Sequence, residues 1–525
     1  MPDAIVIGAG PNGLVGANLL ADRGWDVLVC EAAATPGGAV RSAELIEPGF
    51  VNDVFSAFYP LAYASPTIRR LHLEHYGLQW RHAPLVLAHP ARDGTCPVIS
   101  TSLDVTAAAL DAYAPGDGAS WRNLFARWER VRSGLIDGLF SPIPPLNATL
   151  KLAYGTRVEG PVRFARFAIL PARRMVTEEF ASEEARRIFT GTAMHADLPP
   201  SEVLSGFFGY VLCMLAQDQG WPVPEGGAGR FADALVTRLQ TRGGRVQCNA
   251  PVDKVLVRNG RAAGVRAAGE EITATRAVLA DVDAPRLLLQ LVGPEHLSAR
   301  TLDDLRRFTW DHAVFKVDWN LDQPVPWTAP EARRAGVIHV TESVDALVET
   351  RAQISLGLAP SRPFMLVGQQ SMTDPTRMPH GRETLWAYTH LPREIKGDAA
   401  GEIDMPFDHD AAERFADRMQ AEVEALAPGF TSLIRGRHIF APHDLEAHDG
   451  NLNGGAIAGG TAQLFQQLVF RPIPGLGRPE TPIKGLYLAS ASAHPGGGVH
   501  GACGSNAARA AILHDRLRRS FGRSR

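Results

Sequence analysis

The opening forty residues constrain this chain more than any other feature. An apolar run, Ala4-Ile5-Val6-Ile7, passes directly into Gly8-Ala9-Gly10-Pro11-Asn12-Gly13. Four apolar residues in a row read as a strand covered on both faces, as in a parallel sheet. Leu14, Ala17, Asn18, Leu19 and Leu20 continue as a helix closed by Arg23-Gly24; Val27–Cys30 makes a second strand, and Glu31 ends it. In such a unit Gly8 permits the tight turn, Gly10 lets the backbone approach a diphosphate, and Gly13 lets the helix pack on the strand. The helix N-terminus, opening at Pro11 and Asn12, stabilises the phosphate charge. Glu31 is placed to accept hydrogen bonds from an adenosine ribose and to repel a 2′-phosphate, which disfavours NADP. This predicts a doubly wound α/β unit holding a dinucleotide, but it does not separate FAD from NAD.

Two further glycine clusters bear on that choice. Thr35-Pro36-Gly37-Gly38-Ala39-Val40-Arg41-Ser42 follows Glu31 at once. In many flavoproteins the chain here passes the cofactor's phosphates, with Arg41 placed to offset their charge; a plain surface turn is the alternative. Far downstream, Lys484–Ser490 reads as a strand, followed by Ala491-Ser492-Ala493-His494-Pro495-Gly496-Gly497-Gly498-Val499-His500-Gly501 and a helix from about Ser505 to Leu517. Strand, glycine-rich loop and helix again aim backbone N–H groups and a positive dipole end at a ligand. A flavin pyrimidine ring seated there would be favoured as a hydride acceptor.

These stretches resemble the phytoene-desaturase-like branch of the FAD-dependent amine-oxidase superfamily, and within it the pyridine nucleotide-disulphide oxidoreductase domain-containing protein 2 subgroup. The matching segments are Ile5–Gly13, Glu31–Ser42, Pro224–Gly229 and Leu445–Gly504, the last containing Arg471-Pro472 and followed by Asn506-Ala507-Ala508. The resemblance implies FAD held by Gly8, Gly10, Pro11, Asn12, Gly13, Glu31, Gly37, Gly38, Arg41, Val252, Ser490, Gly497, Gly498 and Val499, with Val252 at the adenine. It implies an FAD-binding Rossmann-like domain assembled from residues 1–60, 221–285 and 441–525. Residues 61–220 and 286–440 are left for an α+β substrate domain with a mixed sheet and a helical lid. True amine oxidases carry a Gly-Glu pair where this chain has Ala489-Ser490, which argues against that branch. The subgroup's "disulphide" has no support here, because the five cysteines include no C-x-x-C pair.

The middle of the chain fits this plan. Phe231, Ala234, Leu235 and Leu239 keep helical spacing up to Gly243-Gly244, and Asn259-Gly260 lies between two short apolar runs as a hairpin turn. In Val314–Trp319, Phe315, Val317 and Trp319 share one face and Lys316 and Asp318 the other, which predicts a half-buried strand. Residues 134–175 mix Leu135, Ile136, Leu139, Phe140, Phe164, Phe167 and Leu170 with Arg163, Arg166, Arg173 and Arg174. A lid over an internal pocket is favoured, since prolines break the stretch and no amphipathic period is sustained. A membrane-facing entrance is the other reading.

Hydride transfer is a cofactor's own chemistry, so the protein's part is position, shape and charge. His494, within the glycine-rich loop, is the first candidate for moving a proton near neutral pH, and His500 the second; a loop histidine bonded to backbone is the alternative. Asp53 lies in a region that the resemblance places near the flavin. His443 and His448 lack a third ligand, and no metal site is predicted. A length of 525 residues suggests two or three domains. A net charge of −3 gives no pull toward nucleic acid, and the odd, scattered cysteines fit a cytoplasmic protein. The N-terminus lacks a secretion signal, and no apolar run reaches the ~20 residues that cross a bilayer. The predicted activity is an FAD-dependent dehydrogenase or desaturase acting on C–C bonds of an apolar, lipid-like or natural-product substrate. An ene reductase or isomerase and an interaction protein with structural flavin are the alternatives.

Overall fold

The computed structural model describes residues 1–522. Its central sheet joins β1 (Ala4–Ile7), β2 (Val27–Cys30), β3 (Arg245–Gln247), β4 (Ala277–Ala280) and β5 (Leu486–Leu488) in the order β5-β4-β1-β2-β3. Every pairing is parallel, which explains why β1 and β4 are unbroken apolar tetrads: both faces are covered. On one face lie helices α1 (Pro11–Ala21), α2 (Gly229–Thr241) and α3 (Ala502–Gly522), whose apolar residues join those of the sheet in one core. On the other lies a three-stranded antiparallel layer, 252–273, whose Val255 and Val265 pack with Ile5 and Val278. Its hairpin turns at Asn259 and Gly260 with φ of +51° and +69°, the signs a type I′ turn needs.

A second, mixed sheet of seven strands runs Ile434–Phe440, Ala313–Leu321, Glu383–Leu391, Met365–Gly368, Ala335–Val340, Leu85–Ala88 and Val98–Ile99 in spatial order. Its only parallel pairing is between Ala335–Val340 and Leu85–Ala88. The strand predicted to be half-buried is buried at all nine positions, 313–321. Phe315 and Trp319 pack on Phe415 and Phe430, while the opposite face is covered by residues 52–55 and carries a buried Lys316–Asp318 ion pair. A charged pair on the second face misled the period-2 reading, because paired charges can be buried together. Helices spanning 103–219 cover the far end of this sheet.

The two sheets are tied by a buried cation. Arg377 Nη1 lies 2.5 Å from Asp53 Oδ2, its Nε 3.1 Å from Asp374 Oδ2, and Nη2 donates to the Pro224 carbonyl. Asp53 also accepts from the Ala228 amide and the Ser42 hydroxyl, and Asp374 from the Gly226 amide. Residues 42–53, 224–229 and 374–377 are thereby fixed together. Replacing the cation leaves two carboxylates buried without a counter-charge, so Arg377→Leu should lose roughly 3–5 kcal/mol of unfolding free energy. Urea denaturation followed by circular dichroism measures it, and a loss below about 1 kcal/mol would remove the tie from the account.

Candidate functional site

The C-terminal ends of β1, β2, β4 and β5 carry Gly8–Gly13, Glu31, Asp281 and Ser490. In an open parallel sheet a ligand binds outside these strand ends, where the connections leave in opposite directions. Here that point lies between β1 and β4, because β2 follows to one side of β1 and β4 is reached on the other. Gly8 has φ of +90°, a Cβ on Gly10 would stand 2.6 Å from Asp281 Oδ2, and one on Gly13 would overlap the Gly8 carbonyl. Each of the three glycines is therefore required by the backbone's close approach.

The Glu31 carboxylate is held in place by backbone. Glu31 accepts from the Ala9 amide at 2.6 Å and the Ala33 amide at 2.8 Å. Ala250 N–H bonds the Glu31 carbonyl, which brings Val252 alongside. Gly37 N–H donates to the Ala9 carbonyl, and a Cβ at Gly38 would come within 3.0 Å of Gly10 Cα, so the first two glycine loops lie against each other. Arg41 donates to the Gly38 and His448 carbonyls and lies over the Phe55 ring. It thus braces its own loop, where the sequence placed it facing phosphate.

The C-terminal loop is held from behind. Arg471 is buried and donates to the carbonyls of Ala458, Gly460, Thr461 and Ala491. Asp311 accepts the Ile457, Ala458 and Gly460 amides, and Asp197 accepts Thr461 Oγ1 and the Ala462 amide. The strap 457–462 is thus gripped on both edges, and Gly497 packs on Ala458. Gly498 has φ of +108° and faces Leu61, Val499 is half-buried against the α1 core, and Ser490 Oγ accepts the Ser492 amide.

The histidines behave differently from the proton carriers first considered. His500 accepts the Ala502 amide at Nδ1 and, through Nε2–H, donates to the Gly496 carbonyl, so both nitrogens hold the loop. Burial lowers its pKa to about 4. His494 is buried beside the Gly138 and Ser141 backbone with neither ring nitrogen in a well-formed hydrogen bond; burial and the Arg471 charge lower it to about 4 as well. For both rings burial favours the neutral form at pH 7. Asp53 belongs to the buried Arg377 network. Among the described residues no cluster of metal ligands occurs.

Sequence reasoning missed Asp281, Asp449, Arg377 and the clamp made by Arg471. Asp281 had a readable signal, since it ends the apolar tetrad 277–280 just as Glu31 ends 27–30. Arg471 was seen only as part of a matching stretch; its carbonyl partners sit ten to twenty residues away in irregular backbone and leave no periodic trace.

The strand ends thus gather the features a dinucleotide needs: one bare backbone loop, a carboxylate held by backbone amides, and a second bare loop, rigidly backed, on the far side of β4. The family described as FAD dependent oxidoreductase matches residues 3–341. The pyridine nucleotide-disulfide oxidoreductase domain-containing protein 2 of Rattus norvegicus is 29% identical over 551 residues, covering 96% of this chain and 92% of that protein. The neurosporene-forming phytoene desaturase of Cereibacter sphaeroides is 23% identical, covering 98% and 94%. A crystal structure of an oxidoreductase from Methanosarcina mazei shares the fold with a TM-score of 0.63 at 17% identity, covering 97% and 99%.

The buried histidine yields a pH test. An unfolded histidine takes up a proton below about 6.5 while His500 stays neutral to about 4, so wild-type stability is lost relative to a non-titrating variant as pH falls across that window. The unfolding free energy of wild type minus that of His500→Asn should shrink by up to about 1.4 kcal/mol per pH unit between pH 6.5 and 4. A pH-independent difference in urea melts would show that His500 is not held neutral.

Proposed function

We propose, for a chain that belongs to the FAD dependent oxidoreductase family, that this enzyme acts as a dehydrogenase or desaturase on C–C bonds of an apolar, lipid-like or natural-product substrate. FAD, when bound, supplies the hydride acceptor. The protein's part is to hold the substrate dry and oriented, with residues 1–60, 221–285 and 441–525 as the cofactor unit and 61–220 and 286–440 as the substrate unit.

The observation that supports this reading is a buried apolar cluster packed against Ala39 of the loop 35–42. Val54, Phe55, Val314, Leu366, Tyr388 and Phe440 form one buried cluster, flanked by Ala39 and Trp386. Neutral His494 and His500 offer no base poised near pH 7, which suits a C–H bond with no acidic proton. The phytoene desaturase name of one relative points to the same substrate class. Anaerobic titration of the FAD-loaded enzyme with isoprenoid polyenes and cyclic alkenes should bleach the oxidised flavin band, with one C=C formed per flavin reduced. Turnover that requires pre-reduced flavin and gives no net oxidation of the product would overturn the direction and favour an ene reductase or isomerase.

The substrate's route points to a bilayer surface. In helices 146–155 and 161–169 and the turn that joins them at Val158, Phe164 and Phe167 point inward while Leu146, Leu150, Tyr154, Val158, Val162 and Ile169 are 53–79% exposed. That stripe recurs at four-residue spacing through Val162, a period the sequence reading did not recognise. Lys151, Arg157 and Arg163 are exposed beside it, and Arg157 lies over the Tyr154 ring. Apolar side chains next to cations suit an anionic interface. No helix among the described residues is long and apolar enough to cross a membrane. The five free cysteines support a cytoplasmic location, with contact at the membrane's inner surface. The protein should sediment with phosphatidylglycerol-containing vesicles, and Leu150→Asp with Val162→Asp should weaken this at least tenfold, from ~1.5–3 kcal/mol per inserted side chain. Equal sedimentation of wild type and variant would overturn the placement.

A further inference from the structure

The charges around the first glycine loop do not suit an anion as they stand. Three carboxyl groups converge there: Glu31 at the end of β2, Asp281 at the end of β4, and Asp449 beside Gly38. The loop itself, Gly8–Gly13, carries no basic side chain. Asp281 Oδ2 accepts the Gly13 amide at 2.8 Å and stands where a side chain on Gly10 would be, so it touches the diphosphate-binding turn directly. A dinucleotide adds two further negative charges at this point.

The surroundings decide which carboxyl yields. Glu31 accepts two backbone N–H groups. Burial raises the Asp449 pKa, an effect opposed by the Asn451 amide and by the charges of Arg41 and Arg286. Asp281 has one amide and no cation acting on it; Glu31 and Asp449 face it with like charge, Cys503 of α3 faces it as a neutral thiol, and Asp283 follows on its own strand end. Its carbonyl is fixed by Asn451 Nδ2 at 2.9 Å, so the residue cannot swing away without breaking that bond.

We infer that Asp281 binds the FAD diphosphate as a neutral carboxylic acid, keeping Oδ2 on the Gly13 amide while its second oxygen donates a hydrogen bond to a phosphate. This rests on the reading of the loop as the diphosphate site. The proton comes from solvent and returns to it on release, and no covalent bond to carbon or phosphorus changes. Burial, with Glu31 and Asp449 adding to it, already raises the Asp281 pKa to about 7 in the cofactor-free protein. An incoming anion raises it further. FAD binding therefore takes up no proton onto Asp281 near pH 6, where the acid is already protonated, and close to one above pH 8. Affinity falls by up to tenfold per pH unit over that range.

Calorimetric titration of the apoprotein with FAD, in buffers of different ionisation enthalpy at pH 6 and pH 8.2, measures the proton count directly. The expected result is near zero at pH 6 and approaching one at pH 8.2 in wild type. Asp281→Asn, whose amide can donate without titrating, should take up none and bind FAD with an affinity that does not change with pH. Zero uptake by wild type at pH 8.2 overturns the inference. So does uptake that persists in Asp281→Asn or disappears only in Asp449→Asn. Absence of binding heat at either pH would instead sink the diphosphate reading itself, and wild type alone separates these outcomes if the variants fail to fold.

Discussion

The crossing of α1 by α3 sets the geometry of everything near the cofactor cradle. A Cβ on Gly504 would overlap the Asn12 carbonyl, and Gly16 meets the Gly504 carbonyl in return, so the helices approach at backbone distance. α1 begins the chain's first ligand loop and α3 follows directly from the last one, almost five hundred residues later. Because the helices cannot separate or slide without losing this contact, the two loops keep a fixed spacing across β1 and β4. Close packing of small residues thus does for the sequence extremes what a covalent link would do.

Rigidity on the remaining sides comes from ionic groups rather than from apolar packing. Arg377 with Asp53 and Asp374, and Arg471 with its ring of carbonyls, sit at the two junctions between sheets and loops. A buried arginine is a weak way to gain stability but a strict way to fix geometry, because each unmade bond leaves a desolvated donor. The places where apolar burial would suffice, such as the face of Phe315, Val317 and Trp319, use it. Arg377 and Arg471 each bind irregular backbone, near Pro224 at the one and around 458–461 and Ala491 at the other.

The difference explains what could be read in advance. The strands of the parallel sheet, the three glycine loops and Glu31 all obey local rules: apolar tetrads, glycine where φ is positive, an acid at a strand end. The antiparallel hairpin announced itself through Asn259-Gly260. Arg377 and Arg471 obey no local rule, since their partners lie up to 324 residues away or in loops without periodicity. Lys316 and Asp318 were legible as a face but not as a buried one, because burial of that face is decided by residues 52–55 from another part of the chain. His494 and His500 were placed in the right loop, yet their protonation depends on the enclosure supplied by Phe140 and Arg471, which no spacing reveals.

Charge is distributed along the cradle with a direction. Its first-loop end gathers Glu31, Asp281 and Asp449, and at its last-loop end Arg471 is fixed behind Gly496 with the buried Asp311 and Asp197 acting on it. The N-terminus of α3 points its positive dipole end from the same side. Of the three carboxyl groups at the first loop, Asp281 is the one whose Oδ2 accepts the Gly13 amide, and the like charge of Glu31 and Asp449 adds to burial in favouring its neutral form.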